Sequence, residues 1–398
     1  MAAGLRRHGQ QDMVGIAHGR CELSAESFAE EKDISIRSLN GPLPGEVTNH
    51  SRRRRGLALV LALVLGAALW LDARSAASTE ERFDGFNVIA APGHPFGSAT
   101  AKMSLANAKR LGAHAVAVVP FFWQSAPTSP SLLRGNDMTD AELRSAIRDA
   151  HALGLAVLVK PHVWVPERWA GAVVMNSEEA WQDWFAHYRR ELDRIARIAE
   201  EGKAEALAVG TELAGTTQRQ EWNEVIAAAR AAYSGRLLYV AHNIEEAEAI
   251  PFWDRLDAIA VTLYPPLGAD DDRDGRRGAM GAVAERLDAL AARTGKTIVV
   301  GEVGLRSAEG AAAKPWESAE ERTSAPDPAL QAAVISDWLS ALDRPAISGV
   351  LIWRWFTSPN AGGLTDTDFT VQGKPAEHIL KCAWTQKCEE DHAGARSP

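Results

Sequence analysis

The stretch Ala206-Leu207-Ala208-Val209-Gly210-Thr211-Glu212-Leu213 is a short apolar run that stops at a carboxylate, and Ile298-Val299-Val300-Gly301-Glu302-Val303-Gly304 repeats that design further along. Short apolar runs bounded by turn residues suit strands buried on both faces. Working outward, six more such runs occur: Phe86–Ala90, Ala115–Val119, Leu155–Val159, Leu237–Ala241, Ala258–Leu263 and Gly349–Ile352. With Ala206–Val209 and Ile298–Val300 they make eight strands, each followed by a loop rich in polar or aromatic residues.

Between them lie amphipathic helical stretches, Ala99–Leu111, Thr139–Leu153, Ser177–Glu201, Gln218–Tyr233, Gly278–Arg293 and Ala329–Leu342, with the shortest after Asn243. Eight strands alternating with helices predict an α/β domain of the (β/α)8 barrel type over residues 83–384. Thr139-Asp140-Ala141-Glu142 has capping-box spacing, and Gly112, Gly154 and Gly295 stand where helices end and strands begin. Function then gathers at the opposite, C-terminal strand ends. A doubly wound open sheet is the rival architecture, but Ala91-Pro92-Gly93-His94-Pro95 follows the first strand where a glycine-rich phosphate fingerprint would be required.

The 398 residues are 46% hydrophobic and 24% charged, with a formal net charge of −9. That composition supports a globular core, and the absence of a basic stripe in the body argues against nucleic acid as partner. Ahead of the body, Arg52-Arg53-Arg54-Arg55 precedes an uninterrupted small and apolar run from Gly56 to Leu71. The run reads as a membrane anchor or a signal-peptide apolar region (56–72), with the arginines on the cytoplasmic side and everything after Asp72 exported. Ser75-Ala76-Ala77 offers small residues for cleavage, and residues 1–55 read as a leader, a cytoplasmic tail or, with a start at Val47, partly untranslated sequence. Residues 385–398 read as a tail. Cys382 and Cys388 are spaced to close a small disulfide loop or to remain two thiols, and no cysteine or histidine spacing suggests a metal.

In a barrel, Glu212 after the fourth strand and Glu302 after the seventh face each other across the mouth. Two carboxyl groups so placed match a retaining glycosidase, one protonating the leaving oxygen and the other attacking the anomeric carbon. The acid needs a raised pKa and the nucleophile must stay ionised. The alternative is that each glutamate merely caps backbone at the rim. Aromatic residues recur at strand ends: Trp123, Trp164, Tyr264, Trp353 and Trp355, flat amphipathic rings suited to sugar faces. Trp181, Trp184, Trp222 and Trp338 fall at helical spacing and read as packing. Lys160 and His162 end the third strand pointing into the mouth, where either binds a hydroxyl or tunes a carboxylate. Asn87 and His242-Asn243 are weaker candidates, and Arg354 is expected to face away from the tryptophans and pair with an acid.

The strings Gly301-Glu302-Val303-Gly304-Leu305-Arg306-Ser307, Lys314-Pro315-Trp316, Gly349-Val350-Leu351-Ile352-Trp353-Arg354-Trp355 and Gly373-Lys374-Pro375-Ala376, with Gly210-Thr211-Glu212-Leu213, resemble glycoside hydrolase family 113. The resemblance spans most of residues 83–384. It implies a (β/α)8 retaining hydrolase of the clan that includes endo-β-1,4-mannanases, with Glu212 as acid/base, Glu302 as nucleophile, Tyr264 near the nucleophile and Trp353 under the sugar. No metal or organic cofactor is implied. Much of the clan has asparagine where Thr211 stands, which bears on the contact to the sugar 2-hydroxyl. The acidic run Asp270-Asp271-Asp272-Arg273-Asp274 reads as a solvated loop or a selector of basic sugars. Three functions follow: a mannan-type hydrolase, a hydrolase of another β-linked or amino-sugar polymer, and a silent glycan-binding envelope barrel.

Overall fold

The computed structural model describes residues 82–387. Eight parallel strands close into a barrel: β1 (Gly85–Ile89), β2 (Ala115–Val118), β5 (Ala156–Val159), β7 (Ala206–Thr211), β8 (Arg236–Ala241), β9 (Ala258–Leu263), β10 (Ile298–Val303) and β11 (Ile347–Phe356). Their chain order is their spatial order, and β11 pairs with β1 to close the ring. The (β/α)8 architecture read from the sequence is the one observed.

Alternation along the strands makes two apolar layers. Ala115, Ala117, Leu158, Ala206, Ala208, Leu238, Val240, Ala260, Val299 and Leu351 fill the barrel interior, where small side chains suit a narrow space. Their neighbours face outward against the helices, where Trp184, Trp222 and Trp338 are buried. These are the packing positions expected from helical spacing. Thr139 forms the expected capping box with Glu142, and Gly112, Gly154 and Gly295 adopt positive φ at helix ends, a conformation glycine takes without Cβ strain.

Three short strands lie outside the barrel and were not anticipated. β3 (Phe121–Trp123) pairs in parallel with β6 (His162–Trp164), and β4 (Leu133–Arg134) adds antiparallel to β3. They continue β2 and β5 past Pro120 and Pro161. β5 pairs with β7 only through Leu158 and Val159. Beyond that point Pro161 has no N–H to donate, and its carbonyl is taken by the Thr211 hydroxyl at 2.9 Å. The β5 chain thus leaves its β7 neighbour while keeping β2, through His162 N–H donating to Pro120 O at 3.0 Å. The paired extensions form a lip above the mouth.

The acidic run is not a free loop. Helix Arg273–Thr294 starts earlier than its periodicity suggested because Asp272 caps it through Gly275 N–H at 2.9 Å. Asp270 meanwhile accepts from the backbone of Gly310 and Ala312. Among the described residues no helix is long and apolar enough to cross a membrane. The run 56–71, the leader and Cys388 lie outside the described residues; Cys382 is in the last helix, Pro375–Thr385.

Candidate active site

Both strands that deliver the glutamates are bulged. The β7–β8 register shifts between Ala208 and Thr211, and the β10–β9 register shifts between Val300 and Glu302. A bulge bends a strand and re-aims the side chain that follows it. Gly210 and Gly301 sit at these bulges, and a Cβ on Gly210 would lie 2.7 Å from the Trp222 ring.

Glu302 is held on both oxygens. Lys160 Nζ donates to Oε2 at 2.8 Å, and the Tyr264 hydroxyl donates to Oε1 at 3.0 Å. Lys160 has no solvent exposure. A buried ammonium is tolerable only when paired, so the lysine and the carboxylate require each other as ions. Burial, and then the Glu302 charge, push the Tyr264 phenol well above its ordinary pKa, so it remains a donor. Lys160 therefore does not reach a substrate hydroxyl; it acts through Glu302. Asn87, also buried, ties the strand end by donating to Gly301 O at 3.1 Å.

Glu212 sits between two imidazoles. His242 Nδ1 lies 3.2 Å from Oε1 and His162 Nε2 lies 3.4 Å from Oε2. His162 Nδ1 is 3.0 Å from Val163 O, and a carbonyl only accepts, so that nitrogen carries a proton. The bare Nε2 of a neutral His162 then faces Glu212, and one proton must lie between the two groups. Burial favours the protonated Glu212 carboxyl, but the hydrogen bonds and charges of His162 and His242 outweigh it and hold the carboxyl below its usual range. A raised pKa was expected. The reason for the difference is the histidine pair: burial pulls the His242 pKa down, yet the carboxylates of Glu212, Glu246 and Glu302 carry it above its ordinary value.

Glu212 has φ 55°, a left-handed backbone that costs a non-glycine residue about 1–2 kcal/mol. Three hydrogen bonds hold the turn. Glu212 N–H donates to Val240 O at 2.8 Å, Leu213 N–H donates to the Tyr239 hydroxyl at 2.9 Å, and that hydroxyl donates to Glu246 at 2.8 Å. Glu246 also accepts from His242 N–H at 2.6 Å. Burial raises the Glu246 pKa. Sequence reasoning missed Tyr239 and Glu246. The cap spacing from Asn243 to Glu246 was legible, since Asn243 does cap that helix, but the burial was not. Trp169, half-exposed and also missed, packs on His242 with ring centroids 4.3 Å apart.

The remaining candidates divide. Trp353 is at the mouth with Lys160 Nζ 5.4 Å from its ring centroid, and Trp123 and Trp164 are exposed on the lip. Trp355 does not reach the mouth. It is 1% exposed, packs on Phe86 at 4.7 Å and donates to Ser104. The β1 register slips so that Trp353 aligns with Asn87 and Trp355 with Val88, consecutive residues that point to opposite sides. Thr211 is likewise buried, its hydroxyl spent on Pro161. Arg354 pairs with Asp368 as expected, but its guanidinium lies 5.7 Å from the Trp353 ring centroid rather than facing away. Behind it, buried Lys374 donates to Ser307 Oγ at 2.7 Å, Asp366 at 2.6 Å and Asp368 O at 3.0 Å, joining the loops after β10 and β11.

The family described as Glycoside Hydrolase Family 113 matches the chain over residues 86–374. Among solved structures, the GH113 β-mannanase AaManA from Alicyclobacillus acidocaldarius, in complex with ManMIm, superposes with a TM-score of 0.69 at 25% identity, over 78% of this chain and 99% of its own. A GH113 β-1,4-mannanase gives 0.68 at 26% identity, over 77% of this chain and 100% of its own. The β-glucuronidase of Ruminococcus gnavus, at 14% identity and 0.53 over 76% of this chain and 50% of its own, shares the fold. No curated protein matches in sequence.

Proposed function

The chain belongs to glycoside hydrolase family 113, and on that premise we propose that it hydrolyses β-linked mannan with retention, Glu212 acting as acid/base and Glu302 as nucleophile. The observation that carries the assignment is the different company the two carboxylates keep. Glu302 is held by a buried cation and a phenol donor, which favour a permanently ionised nucleophile. Glu212 faces two imidazoles with which it can exchange a proton, as a group that must donate and then accept requires.

In the first step the Glu212 carboxyl protonates the glycosidic oxygen while a Glu302 oxygen bonds to the anomeric carbon, and the leaving sugar departs as an alcohol. In the second, Glu212 takes a proton from water, whose oxygen displaces Glu302 and restores both carboxyl groups. Trp353 stands where the sugar at the cleaved bond would rest. Mannan is preferred because the solved structures that match this chain at 25% and 26% identity are described as β-mannanases. The carboxylates of Asp270 and Asp272 bind backbone N–H groups, so the acidic run gives no support to a cationic sugar.

The basic and apolar pattern of residues 52–71 supports the further proposal that the hydrolase is exported, anchored or released; fractionating cells and probing with external protease checks this. For the activity, purified protein and Glu302→Gln are incubated with β-linked mannans, glucans and amino-sugar polymers, with products read by mass and the anomer first released by NMR. Release of β-anomeric manno-oligosaccharides by the native protein alone is the expected result. Inverted product refutes the double displacement, another polymer replaces mannan, and silence on all with glycan binding intact indicates a non-catalytic barrel.

A further inference from the structure

Arg306, in the Leu305-Arg306-Ser307 string that follows β10, takes no part in the chemistry above, yet it is 1% exposed. It belongs to a group of four cations gathered where the loops after β10 and β11 meet. Three of them have a carboxylate: Lys374 pairs with Asp366, Arg354 with Asp368 and Arg322 with Glu317. Among the described residues Arg306 has only carbonyl oxygens. Its Nε donates to Thr367 O at 3.1 Å and its Nη2 to Arg322 O at 2.9 Å, while its Nη1 is buried without a partner. Glu317 and Asp368 attract it from farther off, but each is taken by another arginine, and Glu320 stands in solvent.

A water molecule satisfies an idle N–H but brings no charge, and an arginine does not shed its proton. A buried cation without a counter-charge is strongly unfavourable. Burial, and then the charge of Arg322, lower the Arg306 pKa, so the two guanidinium groups repel each other. Arg322 also keeps one nitrogen, Nη2, buried without a partner. The segment that carries Arg322 is pinched at its base, where Glu309 N–H donates to Ala325 O at 3.0 Å, and Arg306 is tied into it through Arg322 O. A ligand held beneath that cover has to be small, and the count of four cations to three carboxylates asks for a single negative charge. We infer that Arg306 and Arg322 form a site for a small monovalent anion of the chloride class, which supplies the fourth counter-charge and fastens the loop after β10 to the loop after β11. Such a site is independent of which polymer the barrel cuts.

Thermal unfolding of the native protein is followed in sodium chloride, sodium bromide and sodium gluconate at one ionic strength. Chlorine NMR linewidths report chloride exchange, and bromide-soaked crystals locate the ion by anomalous scattering. Chloride and bromide are expected to raise the melting temperature saturably, by about 4 °C once the ion stands at about a hundred times its Kd. The anomalous peak is expected between Arg306 and Arg322. Arg306→Gln removes the unmatched charge, and Arg322→Gln releases Glu317 to pair with Arg306. Both variants should lose the halide response, and the second decides the matter if the first does not fold. Equal melting temperatures in chloride and gluconate overturn the proposal, water then being sufficient. A response that survives in either folded variant, or a bromide peak found only elsewhere, means an adventitious ion only and overturns it as well.

Discussion

Lys160 Nζ lies 2.8 Å from Glu302 Oε2, and the lysine has no access to water. Its charge has one carboxylate partner in the barrel mouth, so Glu302 and the stability of the mouth are linked. Replacing Lys160 with Met removes the cation while keeping an apolar stem of similar length. It should lower kcat at least a hundredfold, as transition-state charge loses its support, with stability changing by less than in Glu302→Gln. In that second variant the ammonium is left buried without its partner ion, a loss of about 3–5 kcal/mol for broken buried pairs. Thermal unfolding of both variants, with kcat for Lys160→Met, checks the pair of outcomes.

On the proposed reading Glu212 is the proton donor, and the proton it would deliver has more than one resting place. A group of sites sharing one proton holds it more tightly than any member alone, because every site adds a bound state. His242, with its pKa raised by Glu212, Glu246 and Glu302, is one of those sites. The alkaline limb of the kcat/KM profile, where the last shared proton leaves, should therefore move to lower pH in His242→Asn. An unmoved limb would place the proton elsewhere.

Tyr239→Phe deletes the hydroxyl that accepts from Leu213 N–H and donates to Glu246. The orphaned N–H costs about 1–3 kcal/mol, and the left-handed turn at Glu212 loses a support. Melting temperature and kcat are expected to fall together, while KM, set by other contacts, changes little.

A methyl group at Gly304 would meet Trp353 O at 2.4 Å, backbone that cannot swing aside. Gly304→Ala should destabilise by about 1–3 kcal/mol and raise KM by displacing Trp353. Unfolding in denaturant and steady-state kinetics on mannohexaose read the two effects.

The barrel was legible because each of its strands is buried on both faces and so spelled as an apolar run. Glu212 and Glu302 were legible for the complementary reason, a carboxylate ending such a run. The lip was not, since Phe121–Trp123, Leu133–Arg134 and His162–Trp164 are too short for any periodicity and two of them follow prolines. Trp355 was misplaced by simple alternation, which a register slip on β1 defeats. Tyr239 and Glu246 read as ordinary strand and helix residues, and only the folded chain brings a hydroxyl and a carboxylate from those elements behind Leu213.

Pro161 makes the upper half of its strand separable from the lower. Below it, the strand pairs with β2 on one side and with β7 on the other to close a ring, and an insertion there would break a cylinder. Above it, the pair of extensions answers mainly to itself, so residues can be added, lost or exchanged without asking the ring to reopen. Lineages carrying this arrangement can therefore vary the rim while leaving His162 and Glu212 in place, and variation among relatives should concentrate between Phe121 and Arg134 and between Val163 and Arg168 rather than in the strands beneath.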